Sequence, residues 1–430
     1  MMVLVDVLVA VSLKQRGVFR VSLVIVTLVT LSLSNLAVLT VRGVEPVAAQ
    51  QTATGEVPIS PAERERRLNR SPHEVANLLT KPFGRQLKSV MYQPALAVIA
   101  RMRLARLDGN ATEFDAARAL LTPYLDGTKT SQGESPNGSI IAGHLVFAED
   151  LTSPVAIDAN TQQGQSEIPV DPRAVQQVVA AAHWAFHPDG SPREAMPSHN
   201  EMSDALFMGG PILTAAARLT GEVRYLDMVE RHMTFMQSKC WREDHLYRHS
   251  PLCEAPWGRG NGFPALGMAL CLTDLDGIIN AAKTNTNPHQ SPPQLVETAA
   301  RLRAKFIKQF EAHMRALLPH QDASGMWRQV IDHPESYREM TATCMIGFAM
   351  TRGVERGWLD AKTFQPAIDR AWQGVNQRIS DEGVLFGVCT GTGKQKTLED
   401  YLQRPSLFEK DERGGAMALM FAVELASRKH

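Results

Sequence analysis

Between positions 199 and 263 the chain places a carboxylate, two histidines, an arginine and aromatic residues beside small residues that expose backbone. Asp204 falls in the first turn of an apolar helical run, SDALFMGGPIL, where an aspartate favours the helix start and interacts well with its partial positive charge. The flanking Ala205, Leu206, Phe207 and Met208 would hold it against an apolar wall. Such burial raises a carboxyl pKa and suits a general acid. His199 stands five residues earlier, on the approach to that helix, and His249 ends the alternating run LYRH. A rim histidine is more commonly a hydrogen-bonded structural residue, but two of them converging on one carboxylate favour chemistry. WGRGNGF follows at 257–263. Its glycines permit close approach of a ligand, Arg259 suits bidentate carboxylate recognition, and Trp257 offers a flat face on which a sugar ring stacks. Asn261 reads both as a substrate contact and as the N-cap of the next helix.

Three other strings carry less. CTGTGKQKT at 389–397 lacks the first glycine and the hydroxyl after lysine that a phosphate loop needs. Cys240, His245, His249 and Cys253 have irregular gaps unlike those of common zinc sites, so no metal is expected there. Asn110 and Asn137 begin glycosylation-type triplets that decide nothing alone.

The elements that must hold these residues are helices. From about residue 62, apolar runs alternate with amphipathic ones. Runs at 92–106, 139–151, 203–219, 261–273, 339–353 and 412–427 are apolar on all sides, as buried helices are. Runs at 62–80, 113–124, 171–187, 222–238, 295–317 and 361–377 are one-sided, as surface helices are. Six of each predict an all-α fold, an (α/α)6 barrel of six hairpins forming a toroid. A helical solenoid would keep a tighter period. HLYRHS, GMWRQVI and GVLFGVC predict short rim hairpins at the end where inner helices begin. That end should attract carboxylates, because helix N-termini present free N–H groups. The stretch 280–293 is expected to be a solvated loop.

The 430 residues carry no net charge, which argues against a nucleic-acid partner. Lys14, Arg16 and Arg20 precede an apolar run from Val21 to Val41 and then small residues ending near Ala49. That order predicts a signal peptide over 1–49, with an uncleaved anchor as the alternative, hence a secreted or periplasmic body. A linker is expected over 50–61 and the barrel over 62–430. Five scattered cysteines do not make a disulfide framework, and Cys271 and Cys344 read as buried small apolar residues.

The combined strings resemble the unsaturated glucuronyl and rhamnogalacturonyl hydrolases of glycoside hydrolase families 88 and 105. His199 and Asp204 in H-x4-D, His249 in LYRH, WGRGNGF, SYREMTATCMIGFAMTRGVERGWLD, GTGKQKTLEDYLQR and ERGGAMALMFAVEL follow that family's order over about 139–428. The resemblance implies an (α/α)6 barrel that hydrates the vinyl ether of a 4,5-unsaturated uronide left by a polysaccharide lyase, with no metal or organic cofactor. Asp204 would be the acid/base, and His199, His249, Trp257, Arg259 and Asn261 would bind substrate. One departure stands out: the family's second active-site aspartate aligns with Gly138. Two alternatives stay open, another six-hairpin sugar enzyme (an epimerase or inverting glycosidase) and a non-catalytic carbohydrate-binding protein.

Overall fold

The structure is a computed structural model that describes residues 57, 59–133, 137–150, 171–197, 201–284 and 292–428. The expected export segment and His199 lie outside the described residues. So does most of the expected linker, whose end is taken up by the first helix.

Twelve runs of the expected kinds become two concentric layers. The inner ring is α3 (Tyr92–Leu107), α6 (Gly138–Gly143) with α7 (Leu145–Asp150), α9 (Ala205–Thr220), α11 (Gly258–Thr284), α13 (Met340–Glu355) and α16 (Glu412–Ala426). Each packs on the next in that order, and α16 closes on α3. The outer layer is α1 (Pro61–Leu68) with α2 (Pro72–Leu79), α4 (Ala111–Arg118) with α5 (Thr122–Leu125), α8 (Pro172–His183), α10 (Val223–Cys240), α12 (Pro293–Leu317) and α14 (Ala361–Asn376). Short elements β1 (Leu385–Cys389), α15 (Leu398–Leu402) and β2 (Ser406–Glu409) sit between the last outer and last inner helix.

Composition explains the layering. In α13 every residue from Met340 to Gly353 is buried. In α12 the buried apolar residues are Leu295, Ala299, Leu302, Phe306, Phe310, Met314 and Leu317, spaced three or four apart along one stripe. Each such large apolar side chain contributes about 1.5–3 kcal/mol on burial. Start signals match the sequence: Ser71 and Glu74 form a reciprocal capping box at α2, and Asn110 and Asn137 cap α4 and α6. Gly267 lets α11 approach α9, since a Cβ there would lie 2.8 Å from the Leu206 carbonyl oxygen.

Three expectations need correction. The inner helix at 139 is broken at His144, with the α6 glycine Gly143 pressed against the backbone of Val90. Helix α11 begins at Gly258 and runs to Thr284, so Asn261 is inside its first turn and is not its cap; residues 280–284 are helical, and 285–291 lie outside the described residues. Of the rim runs, only GVLFGVC forms a ladder, β1 pairing antiparallel with β2 across a bulge between Phe386 and Val388. HLYRHS and GMWRQVI make single bridges, Trp241 with Tyr247, Trp257 with Val330 and Arg328 with Arg338.

Candidate active site

The first turns of the inner helices gather at one mouth of the barrel. The Tyr92 hydroxyl at the start of α3 feels the charges of Arg259, Asp204, Arg413 and Asp411, which places the ends of α3, α9, α11 and α16 together. Burial pushes the Tyr92 phenol up to about 12, so it is a neutral group in this mouth.

Asp204 is the residue before α9, and its backbone is already helical, with φ −52° and ψ −31°. A capping aspartate ordinarily has extended backbone, which folds its carboxylate back onto the first turn. Here the carboxylate makes no capping bond. The chain enters α9 through tight turns, Ala205 N–H to Met202 O (2.9 Å) and Leu206 N–H to Ser203 O (3.1 Å). The Ser203 N–H donates to the His249 carbonyl at 2.9 Å, tying the two segments.

Asp204 Oδ2 instead lies 3.0 Å from His249 Nε2. The His249 side chain is fully buried, while 13 % of the Asp204 side chain is exposed, so the carboxylate reaches the mouth. The contact is at ion-pair distance but is not aligned as a hydrogen bond, and both atoms are buried without another hydrogen-bond partner. Behind the ring, His249 Nδ1 is 2.8 Å from the Tyr401 hydroxyl, which accepts the Gln395 N–H at 3.2 Å. With the phenol donating to Nδ1, the network places the neutral imidazole's proton on Nε2, facing Asp204. Ser203 Oγ and Trp257 Nε1, from neighbouring residues, are likewise buried without partners. Buried polar atoms of this kind are ordinarily satisfied, and their concentration around one carboxylate marks a place built to receive polar groups.

Three residues of the WGRGNGF string expected to contact substrate are packed within the protein. Arg259 is 2 % exposed and donates from Nη1 to Cys389 O (2.5 Å) and from Nη2 to Thr390 O (2.8 Å), with Glu339 Oε1 3.8 Å away. Its fork is therefore closed by backbone carbonyls. Trp257 is enclosed between the Arg259 guanidinium, 4.5 Å from its ring, and His249, with ring centroids 4.4 Å apart, so neither face is open to a sugar. Asn261 has no exposed surface; it donates to Tyr247 O and Trp257 O and accepts the Tyr247 N–H, locking LYRH onto α11. The glycines serve close packing: a Cβ on Gly258 would lie 2.7 Å from the Arg328 carbonyl oxygen.

Arg259 shapes a loop that matters more. The carbonyls of Cys389 and Thr390 point to Arg259 and that of Gly391 to Arg404 Nη2. The N–H groups of Gly391, Thr392, Gly393 and Lys394 make no hydrogen bond among the described residues. Carbonyls held by arginines beside successive unbonded N–H groups leave backbone donors on which an anion can dock.

Other carboxylates at this mouth are engaged. Glu339 caps α13, accepting from Ala342 N–H at 2.5 Å and from Cys389 N–H at 2.9 Å. Asp411 caps α16 and grips Arg413. Gly138 opens α6 under the Asn137 cap, and no carboxylate stands there. Among the described residues, Asp204 is the mouth carboxylate with a buried oxygen lacking any hydrogen bond. The Cys240–Cys253 set disperses: Cys240 Sγ donates to the carbonyl of Glu201, and His245 packs its ring on Trp241. Sequence reasoning passed over Tyr92, Glu339 and Tyr401, which stood in quoted strings without any local mark of function.

Comparisons with known proteins agree with this architecture. The sequence profile of Glycosyl Hydrolase Family 88 matches residues 167–429. An unsaturated 3S-rhamnoglycuronyl hydrolase of Formosa agariphila is 25 % identical over 198 residues, 42 % of this chain and 47 % of that protein, so this match spans about half the relative's length. An unsaturated rhamnogalacturonyl hydrolase of Bacillus subtilis is 23 % identical over 339 residues, 74 % of this chain and 86 % of the relative. Among solved structures, a possible family 105 member from Klebsiella pneumoniae superposes with a TM-score of 0.63 at 18 % identity, covering 91 % of this chain and 99 % of that one, a likeness of fold. With the profile covering well over half its length, the chain belongs to glycosyl hydrolase family 88.

Proposed function

We propose that the protein hydrolyses 4,5-unsaturated uronyl oligosaccharides by hydrating their vinyl ether, with Asp204 as the acid/base. The observation that carries this reading is an aspartate at a helix start whose carboxylate does not cap the helix, is partly exposed, and faces a buried histidine. Asp204 protonates C4 of the substrate double bond and receives a proton from the water that adds at C5. The hemiketal so formed opens and releases the leaving sugar. No covalent glycosyl intermediate forms, so the second carboxylate of a retaining hydrolase has no step to perform.

His249, fixed by Tyr401, orients Asp204 and holds a proton toward it. The uronide carboxylate docks on the N–H groups of 391–394, in the loop that Arg259 and Arg404 hold open, and the helix N-termini at this mouth add favourable potential. The matched hydrolases of Formosa agariphila and Bacillus subtilis, both named for unsaturated uronyl substrates, support the substrate class. We further infer that the body acts outside the cytoplasm, from the charged, apolar and small-residue order of its first 49 residues.

The test is a panel of lyase-generated unsaturated disaccharides. Wild-type protein should consume the ultraviolet absorbance of the double bond and Asp204→Asn should not, with helical circular dichroism unchanged. Binding without absorbance loss in the wild type would leave a carbohydrate-binding protein. Turnover retained in Asp204→Asn would remove Asp204 from the chemistry.

A further inference from the structure

We propose that the opposite mouth of the barrel is a second binding site, for a small organic carboxylate. The C-terminal parts of five inner helices and the middle of α11 meet there, and the inner positions supply charges in alternation: Arg103 from α3, Glu149 from α7, Arg218 from α9, Asp274 from α11, Arg352 from α13 and Glu424 from α16. Three pairs close within this ring. Arg103 Nη2 meets Glu149 Oε2 at 2.6 Å, Arg218 Nε meets Asp274 Oδ1 at 2.7 Å, and Arg352 Nε meets Glu424 Oε1 at 2.8 Å.

The pairs belong to one electrostatic unit. Burial works to raise the Glu149 carboxyl, but Arg103, Arg106 and Arg352 outweigh it and hold it down at about 2. Arg103 likewise feels Glu149, Glu424 and Asp274 across the ring.

Two guanidinium groups exceed the ring's pairs. Arg106 shares Glu149 with Arg103 at 2.6 Å, and Arg356, at the end of α13, is exposed and makes no ion pair among the described residues. Among the described residues, five arginines thus stand against three carboxylates at this mouth. Inside the ring is a cavity of about 290 Å³, lined by Arg103, Arg218, Arg352 and Arg356 as well as by Glu149 and Asp274. Its remaining walls are apolar side chains such as Leu96, Ile99, Leu270 and Met420. The helix C-termini around it carry partial negative charge, which accounts for arginines gathering there. Partial charge supplies no acceptor atoms, however, and Nη1 of Arg103, which lines the cavity, is buried without one. Leaving such a donor unpaired is unfavourable. A ligand bearing a carboxylate supplies the acceptors and neutralises the surplus, in the forked geometry arginine favours. The volume and the apolar walls fit a molecule of monosaccharide size better than an inorganic ion.

The test is calorimetric titration of the full chain with galacturonate, citrate and inorganic phosphate at constant ionic strength, with galactose as the uncharged control. Binding of an organic carboxylate, unchanged in Asp204→Asn and weakened about tenfold in Arg356→Gln, is the expected result, one charge-assisted hydrogen bond being about that large. Arg356 is exposed, so its replacement leaves folding intact; Arg103→Gln, checked for folding by circular dichroism, should weaken binding further. The proposal is overturned if no organic carboxylate binds, if phosphate alone binds, if Arg356→Gln leaves affinity unchanged, or if Asp204→Asn abolishes binding and so moves it to the other mouth. None of these results depends on turnover of an unsaturated uronide, so this proposal and the catalytic one fail separately.

Discussion

Two inner helices begin with an aspartate at the same mouth, and the two do opposite things. Asp411, before α16, has extended backbone (φ −78°, ψ 131°) and both oxygens engaged: Oδ1 accepts from the N–H groups of Arg413 (2.8 Å) and Gly414 (3.0 Å), and Oδ2 from Arg413 Nη2 (2.6 Å). Burial works to raise its carboxyl, and Arg413 together with the Gly414 N–H outweighs it and holds the group below its ordinary value. Asp204, before α9, has helical backbone and no capping bond. One change in ψ separates a carboxylate that stabilises a helix from one left for a substrate. Position in the fold therefore does not assign the role; the backbone angle at that position does.

The largest effect expected from this contrast is on turnover. Asp204→Asn should lower kcat by about 10²–10⁴-fold, the usual worth of a positioned acid/base, with urea-unfolding stability unchanged within about 0.5 kcal/mol. A large stability loss in that variant would put Asp204 with the capping residues and break the comparison. Glu339, a second carboxylate cap at this mouth, tests the opposite case. Its two oxygens join α13 to β1 beside buried Arg259. Glu339→Ala should cost about 3–5 kcal/mol in urea unfolding, as removing one partner of a buried charged network does. Loss of less than about 1 kcal/mol would show that the loop at 391–394 stands without it.

The inner helix where the family's second aspartate is missing, α6 with α7, presents a buried histidine at its break. His144 has Nδ1 at 2.8 Å from Ile140 O, and its Nε2 is buried without a partner. Burial lowers its pKa from 6.5 to about 4. The unfolded chain takes up the proton first as pH falls, so this contribution is complete above about 6.5 and is lost as pH drops to about 4. It amounts to about 3 kcal/mol. Unfolding free energies at pH 7 and 4.5 should differ by less in His144→Gln than in the wild type; an unchanged difference would assign the acid sensitivity elsewhere.

Much of the architecture was legible because burial on all sides is a property of composition: SDALFMGGPIL and EMTATCMIGFAM announce inner helices with no knowledge of their neighbours. The rim was less so. HLYRHS alternates as a strand does, but Asn261 ties it to α11 and leaves it a single bridge. In the site, Asp204 and His249 were legible as residues of the right type approaching one mouth. The packing of Trp257 and Arg259 was not legible, because residue type and flanking glycines show what a side chain can bind and not which groups of the chain already hold it. The carbonyls that take Arg259 lie at Cys389 and Thr390, about 130 residues further on. Tyr401 acts on His249 from a similar distance, and nothing local in EDYLQR marks it.

The smallest effect tests the capping half of the comparison. Asp411→Ala removes two bonds to the first turn of α16 and frees the Arg413 guanidinium. A lost aspartate cap costs about 1 kcal/mol, and the Arg413 pair, 23 % and 8 % exposed, adds little because its partner can turn to water. Asp411→Asn should recover most of that loss, since an asparagine oxygen caps nearly as well. Turnover should fall less than tenfold in either variant, because neither alters Asp204 or His249. If Asp411→Asn instead lost activity as Asp204→Asn does, while keeping its stability, Asp411 would be a second chemical carboxylate at this mouth. The contrast between the two helix starts would then be one of degree, with Asp411 standing in for the carboxylate absent at Gly138.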